Sequence, residues 1–294
     1  MNYRVPTKAI ITDAGYASRF LPITKTIPKG MLPIGNRPVT QFAVEECVAA
    51  GIDDIIIVTT PEGKPIYDDY FNNAVTPIRK QLKVQGKFKR YKEVEHVLDF
   101  PKIRIVVQDP ALPYGNGAPI VSVKKFIAPD EAFIVIYSDD VVLGASDAKS
   151  LVEEFKSKPD AKAIIMAQEV EKSNVDQYGI IKLGKDNKLS AIVEKPKVNE
   201  APSTLASYGR YLLTPEVFDH LKPSQTGKDG ELWTVDAITA LVKTGSVYVK
   251  ETAGKWRTTG DPSNYFMANL EYVIDHEDYG KEITSFVMNK YCKL

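Results

Sequence analysis

Cysteine is nearly absent from this chain: Cys47 and Cys292, far apart in sequence, are too few for a disulfide framework or a cysteine-based metal site. Both are expected to be reduced. Histidine is as sparse, and His96, His220 and His276 share no motif and no metal-ligand spacing. No apolar run approaches the ~18 residues that a membrane span needs. The opening MNYRVPTKAIITDAG enters a strand-like run without the basic head, long apolar stretch and small-residue cleavage site of a secretory leader. A cytoplasmic protein without a membrane partner is the expectation. A charge excess is missing too: Lys plus Arg and Asp plus Glu each number 38, so no global field favours DNA, RNA or an anionic membrane. The one local exception holds Arg79, Lys80, Lys83, Lys87, Lys89, Arg90 and Lys92, at spacings that predict one solvated face of a helix.

What is present is an ordinary globular composition, 44% hydrophobic and 26% charged over 294 residues, enough to bury a sizeable core in one α/β unit. The contiguous apolar residues of Lys8 to Thr12 predict a buried strand entering a glycine-containing loop. PVTQFAVEECVAAG has helical spacing with Gly51 at its stop position, and Asp54 to Thr60 reads as a second buried strand, completing a βαβ unit. Strands over Ile103 to Gln108 and Phe133 to Asp140, with a helix near Pro119 to Phe126 between them, extend the pattern into a mostly parallel sheet covered by helices. From Ala161 the texture turns antiparallel, with a strand and then a hairpin about GKDNK. YGRYLL and SVYVKE follow as strands, ELWTVDAITALVKTG as a helix, and a last helix runs from Pro262 to about Asp275. With no linker or repeat, the prediction is one Rossmann-like α/β domain. Its mostly parallel mixed sheet is flanked by helices, with a mostly parallel half over about 1–160 and a smaller antiparallel subregion over about 161–294.

In open parallel sheets ligands sit at the carboxyl ends of the strands, so the residues just after each strand carry the chemistry. After the first come Asp13, Ala14, Gly15, Tyr16, Ala17, Ser18 and Arg19, running on to Lys29. Small residues let backbone N–H groups approach phosphate oxygens, and Arg19 and Lys29 add positive charge. That combination suits a triphosphate, although small residues and cations also fill many loops with no ligand. After the Ile103 strand, Gln108 leads into Tyr114-Gly115-Asn116-Gly117, by itself only a turn. At the end of FIVIYSDD stand Ser138, Asp139 and Asp140, and a hard divalent cation bound to phosphates needs one or two such carboxylates.

The segment AGYASRFLPITKTIPKGMLP closely resembles the signature loop of sugar-1-phosphate nucleotidyltransferases, A-G-x-G-T-R-x-x-P-x-T-x-x-x-P-K-x-M-L-P. The resemblance extends through Tyr178-Gly179, Val193-Glu194-Lys195-Pro196 and Gly230-Glu231-Leu232-Trp233-Thr234-Val235-Asp236, with Trp233 in a glutamine position. It covers Lys8 to about Tyr272, is nearest to the bacterial type of UTP:glucose-1-phosphate uridylyltransferases, and implies a nucleotide-binding half over about 1–160 and a sugar-side subregion over about 161–294. It implies Arg19 and Lys29 as catalytic cations, Ala14, Gly15, Ser18, Gln108 and Gly115 as nucleotide-binding, and Tyr178, Gly179, Glu194 and Lys195 as sugar-phosphate-binding. It further implies Mg²⁺ at Asp139, with Asp140 in reserve, and a dimer or tetramer acting on UTP and glucose 1-phosphate. Ala17 replaces the family's second glycine, Ser18 its threonine, and Thr258 the aspartate that binds the second side of the metal. Asp261 is either a metal ligand in its stead or a helix N-cap. Another nucleotide such as dTTP, another sugar, or a non-catalytic paralogue that binds sugar nucleotides are the competing expectations.

Overall fold

The computed structural model describes residues 3–73 and 76–292, so the first two residues of the opening segment lie outside it. Its strands are β1 (Lys8–Asp13), β2 (Pro33–Ile34), β3 (Arg37–Pro38), β4 (Asp54–Thr59), β5 (Ile103–Val107), β6 (Phe133–Tyr137) and β7 (Asp140–Leu143). They continue as β8 (Ala161–Glu169), β9 (Gly179–Leu183), β10 (Leu189–Glu194), β11 (Leu205–Leu213), β12 (Ser246–Glu251) and β13 (Lys255–Thr258). The helices are α1 (Val39–Ala49), α2 (Gly63–Asn72), α3 (Thr76–Val84), α4 (Lys92–Leu98), α5 (Ala118–Ser122), α6 (Asp147–Ser157), α7 (Thr234–Thr244), α8 (Pro262–Ile274) and α9 (Gly280–Tyr291).

One continuous sheet runs in the order β10-β9-β11-β6-β1-β4-β5, with β8 on β11 and β12 on β8. β1 lies between β4 and β6, parallel to both, with Ile11 opposite Ile57 and Ile136. The apolar runs do not alternate in composition because both faces are covered. Ala9, Ile11, Ile55, Ile57, Ile134 and Ile136 face one core with α1, α2 and α6. Their neighbours Ile10, Ile56, Val58, Phe133 and Val135 face a second core with α5 and α7. Each fully buried aliphatic side chain contributes about 1.5–3 kcal/mol, so this sandwich holds the strand ends in a rigid frame.

The sequence-derived strands and helices are found near their expected places, with five differences. The strand expected to reach Asp140 ends at Tyr137: the chain turns through Ser138 and Asp139 and re-enters as β7, which pairs with β13 outside the main sheet. The expected basic helix is two helices, because Gly86 takes φ +65° and stops α3, and a turn over Phe88–Tyr91 precedes α4. Its cations are exposed, and Arg79 folds back over the rings of Phe88 and Tyr91. The helix near Pro119 is one short turn, and α7 begins only at Thr234. The later half is not purely antiparallel either, since β12 runs parallel to β8.

Behind the Ser138–Asp139 turn lies Arg210 of β11, with no exposed surface. Its guanidinium donates to the carbonyls of Tyr137 (3.1 Å), Gly209 (3.1 Å) and Asp140 (2.9 Å) and to the Glu46 carboxylate (3.0 Å). Five donors in a planar fork meet acceptors on four elements, which a lysine could not do. Arg210→Met should lower the unfolding free energy by about 3–5 kcal/mol in a urea titration, since it leaves Glu46 buried without its cation; a loss near zero would show that Arg210 does not hold the turn.

Candidate active site

Two cavities open where β1, β5 and β6 end. The first, about 600 Å³, is lined by Asp13, Ala14, Gly15, Ser18, Lys29 and Gln108 among others. The second, about 580 Å³, is lined by Arg19, Asp139, Tyr178, Gly179, Glu194, Lys195 and Asp261, together with Trp233, Trp256 and Thr258. A single ion pair joins them: Lys29 Nζ lies 2.7 Å from Asp139 Oδ2, with side chains 16% and 33% exposed. Burial pushes the Asp139 carboxyl up, but the charge and hydrogen bond of Lys29 outweigh it and hold Asp139 below the usual carboxylate range. Burial works against the Lys29 ammonium, and Asp139 and Asp13 reverse that, so the amine stays charged.

The loop carrying Arg19 and Lys29 is anchored by its apolar residues. Phe20, Leu32 and Ile34 pack with Val39, Val141, Tyr265 and Ala268 in a third cluster, Phe20 edge-on to Tyr265 at 5.7 Å. Burying Phe20 leaves its neighbour Arg19 exposed on the cavity wall, 3.4 Å from the Gly260 carbonyl. Ala17 sits at φ 46°, ψ 46°, in the left-handed region that the resemblance assigns to glycine. An alanine there carries local strain, and Thr24 Oγ1 donates to its carbonyl at 2.9 Å.

On the other side, the β9–β10 hairpin brings the two remaining motifs together. Gly179 stands opposite Glu194 in register, and the Lys195 N–H donates to the Tyr178 carbonyl at 3.0 Å. Lys195 is itself left-handed, at φ 47°, a strained geometry of the kind that concentrates at binding sites. Gln108 reaches the first cavity, but Gly115 lines neither. At φ +132° it lies against Leu232, where a Cβ would fall 2.4 Å from the carbonyl oxygen. Glycine is required there by that contact, which lets Gly117 N–H donate to Leu232 at 2.8 Å and fastens this turn to the start of α7. Its neighbour Asn116 is the residue on the cavity wall, and Asp176 and Gln177 join Tyr178 there. Sequence reasoning gave none of these three a role; the turn and motif beside them were the only signals.

The metal question turns on Asp139, Asp140, Thr258 and Asp261. Asp140 is not available: its oxygens accept from Gly209 N–H (3.0 Å) and Trp256 Nε1 (2.8 Å), and burial beside Asp139 raises its carboxyl to about 6. Asp261 is the N-cap of α8, accepting from Asn264 N–H at 3.0 Å and from the Asn264 amide at 2.6 Å. Thr258 pairs with Asp140 across β13–β7, which puts its hydroxyl beside the Asp139 turn. A Cβ at Gly260 would lie 3.3 Å from Thr258 Oγ1 and 3.4 Å from Asp139 Oδ2, so the absence of a side chain keeps the space between carboxylate and hydroxyl open. No cluster of three or more His, Cys, Asp or Glu that could hold a metal ion occurs among the described residues. One accessible carboxylate and a hydroxyl fit a cation whose remaining ligands are phosphate oxygens and water.

Comparison with known proteins agrees with this geometry. Residues 8–274 match the nucleotidyl transferase family. The chain is 37% identical over 285 residues to UTP-glucose-1-phosphate uridylyltransferase 2 of Staphylococcus saprophyticus, covering 95% of this chain and 96% of that protein. Its fold superposes on UTP-bound UGPase from Acinetobacter baumannii with a TM-score of 0.86 at 29% identity, over 97% and 99% of the two chains. A UDP-glucose pyrophosphorylase complexed with UDP-glucose gives 0.78 at 31% identity, over 92% and 100%.

Ala17→Gly should raise the unfolding free energy by about 1 kcal/mol, by releasing the left-handed alanine; no gain in chemical denaturation would mean the loop carries no such strain.

Proposed function

The chain belongs to the nucleotidyl transferase family, and we propose that it transfers a uridylyl group from UTP to glucose 1-phosphate, giving UDP-glucose and pyrophosphate. The observation that carries this reading is the junction of two cavities at one ion pair: the first has the phosphate-type loop and Gln108, the second has Glu194 and Lys195. Divalent-metal chemistry belongs to the family's reaction, and Mg²⁺ held by Asp139 and the Thr258 hydroxyl would supply charge neutralisation at the phosphates.

The chain's own residues do the rest. Backbone N–H groups of Ala14, Gly15 and Ser18 hold the triphosphate, and Gln108 reads an edge of uracil. Glu194 accepts from sugar hydroxyls, and Lys195 holds the sugar phosphate so that one of its oxygens faces the α-phosphorus. That oxygen forms the new P–O bond while the bond from the α-phosphorus to the bridging oxygen breaks, and pyrophosphate leaves with the electron pair. Lys29 and Arg19 stabilise the charge that develops on the α-phosphate and on the leaving group. No covalent intermediate with the protein is needed.

The relatives carrying uridylyltransferase names favour UTP over dTTP. Ala17 keeps the left-handed backbone, which favours an active enzyme over a non-catalytic paralogue. The proposal includes a cytoplasmic setting; no helix among the described residues is long and apolar enough to cross a membrane. It also includes a homo-oligomer, for which α8 and α9 offer the exposed side chains of Phe266, Met267, Phe286 and Met288.

Pyrophosphate release with glucose 1-phosphate should occur with UTP, depend on Mg²⁺, and be at least tenfold slower with dTTP, ATP, CTP or GTP. Release preferring another nucleotide would reassign the substrate, and none with any sugar 1-phosphate would remove the catalytic reading. Arg19→Ala should lower kcat by about a hundredfold, the scale of one lost charge-stabilising donor, with a shift in Tm below about 2 °C because the side chain is exposed; parallel losses of kcat and Tm would count against its role.

A further inference from the structure

Asp13, the last residue of β1, lies outside the signature loop that begins at Ala14, and no role has been given to it above. It is 5% exposed and accepts from three separate parts of the chain. The Gly30 N–H donates to Oδ2 at 3.1 Å, the Tyr67 hydroxyl of α2 donates to the same oxygen, and Ser138 Oγ donates to Oδ1 at 2.9 Å. Gly30 follows Lys29, and Ser138 precedes Asp139. A second circuit closes on the same point, since Thr40 Oγ1 lies 3.0 Å from the Tyr67 hydroxyl and donates to the Gly30 carbonyl at 2.9 Å.

We propose that Asp13 is a positioning residue for the reaction, its buried carboxylate locking the Lys29 loop to the Asp139 turn so that cation and carboxylate meet where the two cavities join. The proposal rests on the nucleotidyl-transfer reading. Only an ionised carboxylate offers acceptors on both oxygens and no donor of its own, which is what three converging donors require. Burial pushes the Asp13 carboxyl above its usual range, and the charge of Lys29 with the three hydrogen bonds opposes that shift only in part. An aliphatic residue would fill the volume but take the acceptor from the Gly30 N–H, the Tyr67 hydroxyl and Ser138 Oγ, so the carboxylate is explained by what it holds rather than by packing. Lys29 and Asp139 come from segments 110 residues apart, and Asp13 is the side chain that bonds to the chain neighbour of each.

Asp13→Asn keeps the size but presents an amide N–H₂ to one of the donors. With UTP present and no sugar phosphate, the Mn²⁺ concentration for half occupancy, read by electron paramagnetic resonance, should rise at least threefold. In turnover, kcat should fall at least tenfold. Ile11→Val, a buried neighbour on β1, gives the scale of mere loosening: a lower Tm, with Mn²⁺ occupancy and kcat unchanged. Asp13→Asn behaving like Ile11→Val overturns the proposal, as does a wild-type protein that binds no Mn²⁺ with UTP. Should Asp13→Asn fail to fold, Ser138→Ala severs only the link to the Asp139 turn; it must raise the Mn²⁺ requirement in the same direction, and an unchanged value overturns the proposal. If the wild type binds Mn²⁺ with UTP but turns over no nucleotide, the reaction assignment fails while the Mn²⁺ readout still decides the role of Asp13.

Discussion

Two buried cations, Lys29 and Arg210, hold together a group of carboxylates that would otherwise repel one another and resist burial. Asp13, Asp139 and Asp140 act on Lys29, and Glu46, Asp140 and Asp147 act on Arg210. In a low-dielectric interior like charges at such spacing cost several kcal/mol unless each finds a counter-charge or a protonated state. Lys29 holds Asp139 below the usual carboxylate range, while burial beside Asp139 raises Asp140 to about 6. The distribution separates duties. Asp139, 33% exposed, is left facing a cavity; Asp140 is turned inward, onto Gly209 N–H and Trp256 Nε1. Carboxylates outnumber these two cations, so a bound divalent cation would complete the balance of charge rather than disturb it.

The sheet explains why these groups meet at all. β1 and β6 are parallel neighbours, so their carboxyl ends, bearing Asp13 and Ser138-Asp139, stand side by side. β11 runs antiparallel to β6 and therefore brings Arg210, in register with Ile136, behind the same turn. The small β7–β13 ladder adds Thr258 from the far end of the chain. Parallel strands thus gather the loop that carries Arg19 and Lys29, and antiparallel ones deliver the β9–β10 hairpin and its support. That division fits a reaction with two substrates, because each cavity is built from different connections and the Lys29–Asp139 pair links them, Lys29 lining one and Asp139 the other.

How much of this was legible in the residues depends on the distance over which they act. The strands of the parallel core were legible because unbroken runs such as Ala9-Ile10-Ile11 are apolar on both faces, and a local pattern suffices to find them. The signature loop was legible as a spacing of residue types. Helix α6 was passed over although its signals are local: Ser146 caps it, accepting from Lys149 N–H, and Ala148, Leu151, Val152 and Phe155 make its buried stripe. The end of β6 could not be read from FIVIYSDD, since the turn at Ser138 is imposed by Asp13 in front, 125 positions from Ser138, and by Arg210 behind, 73 positions from Tyr137. Gly115 was read for its place in a motif, whereas its conformation answers to Leu232, on a segment no local pattern connects to it.

The departures from the signature divide by the same reasoning. Ala17 takes the left-handed conformation that glycine adopts freely, held there by the surrounding contacts, Phe20 in its cluster and Thr24 on the Ala17 carbonyl. Thr258 removes a charge at a place where the backbone is set by pairing with β7, so the hydroxyl still arrives beside Asp139. A motif records which residue types recur, yet what the chemistry needs is the position of a donor or a charge. Position can be supplied by strands and buried hydrogen bonds that the motif does not contain. That is why a chain departing at these two positions retains the two adjoining cavities and the ion pair between them, and why the residues that hold the arrangement, Asp13 and Arg210, stand outside the signature loop.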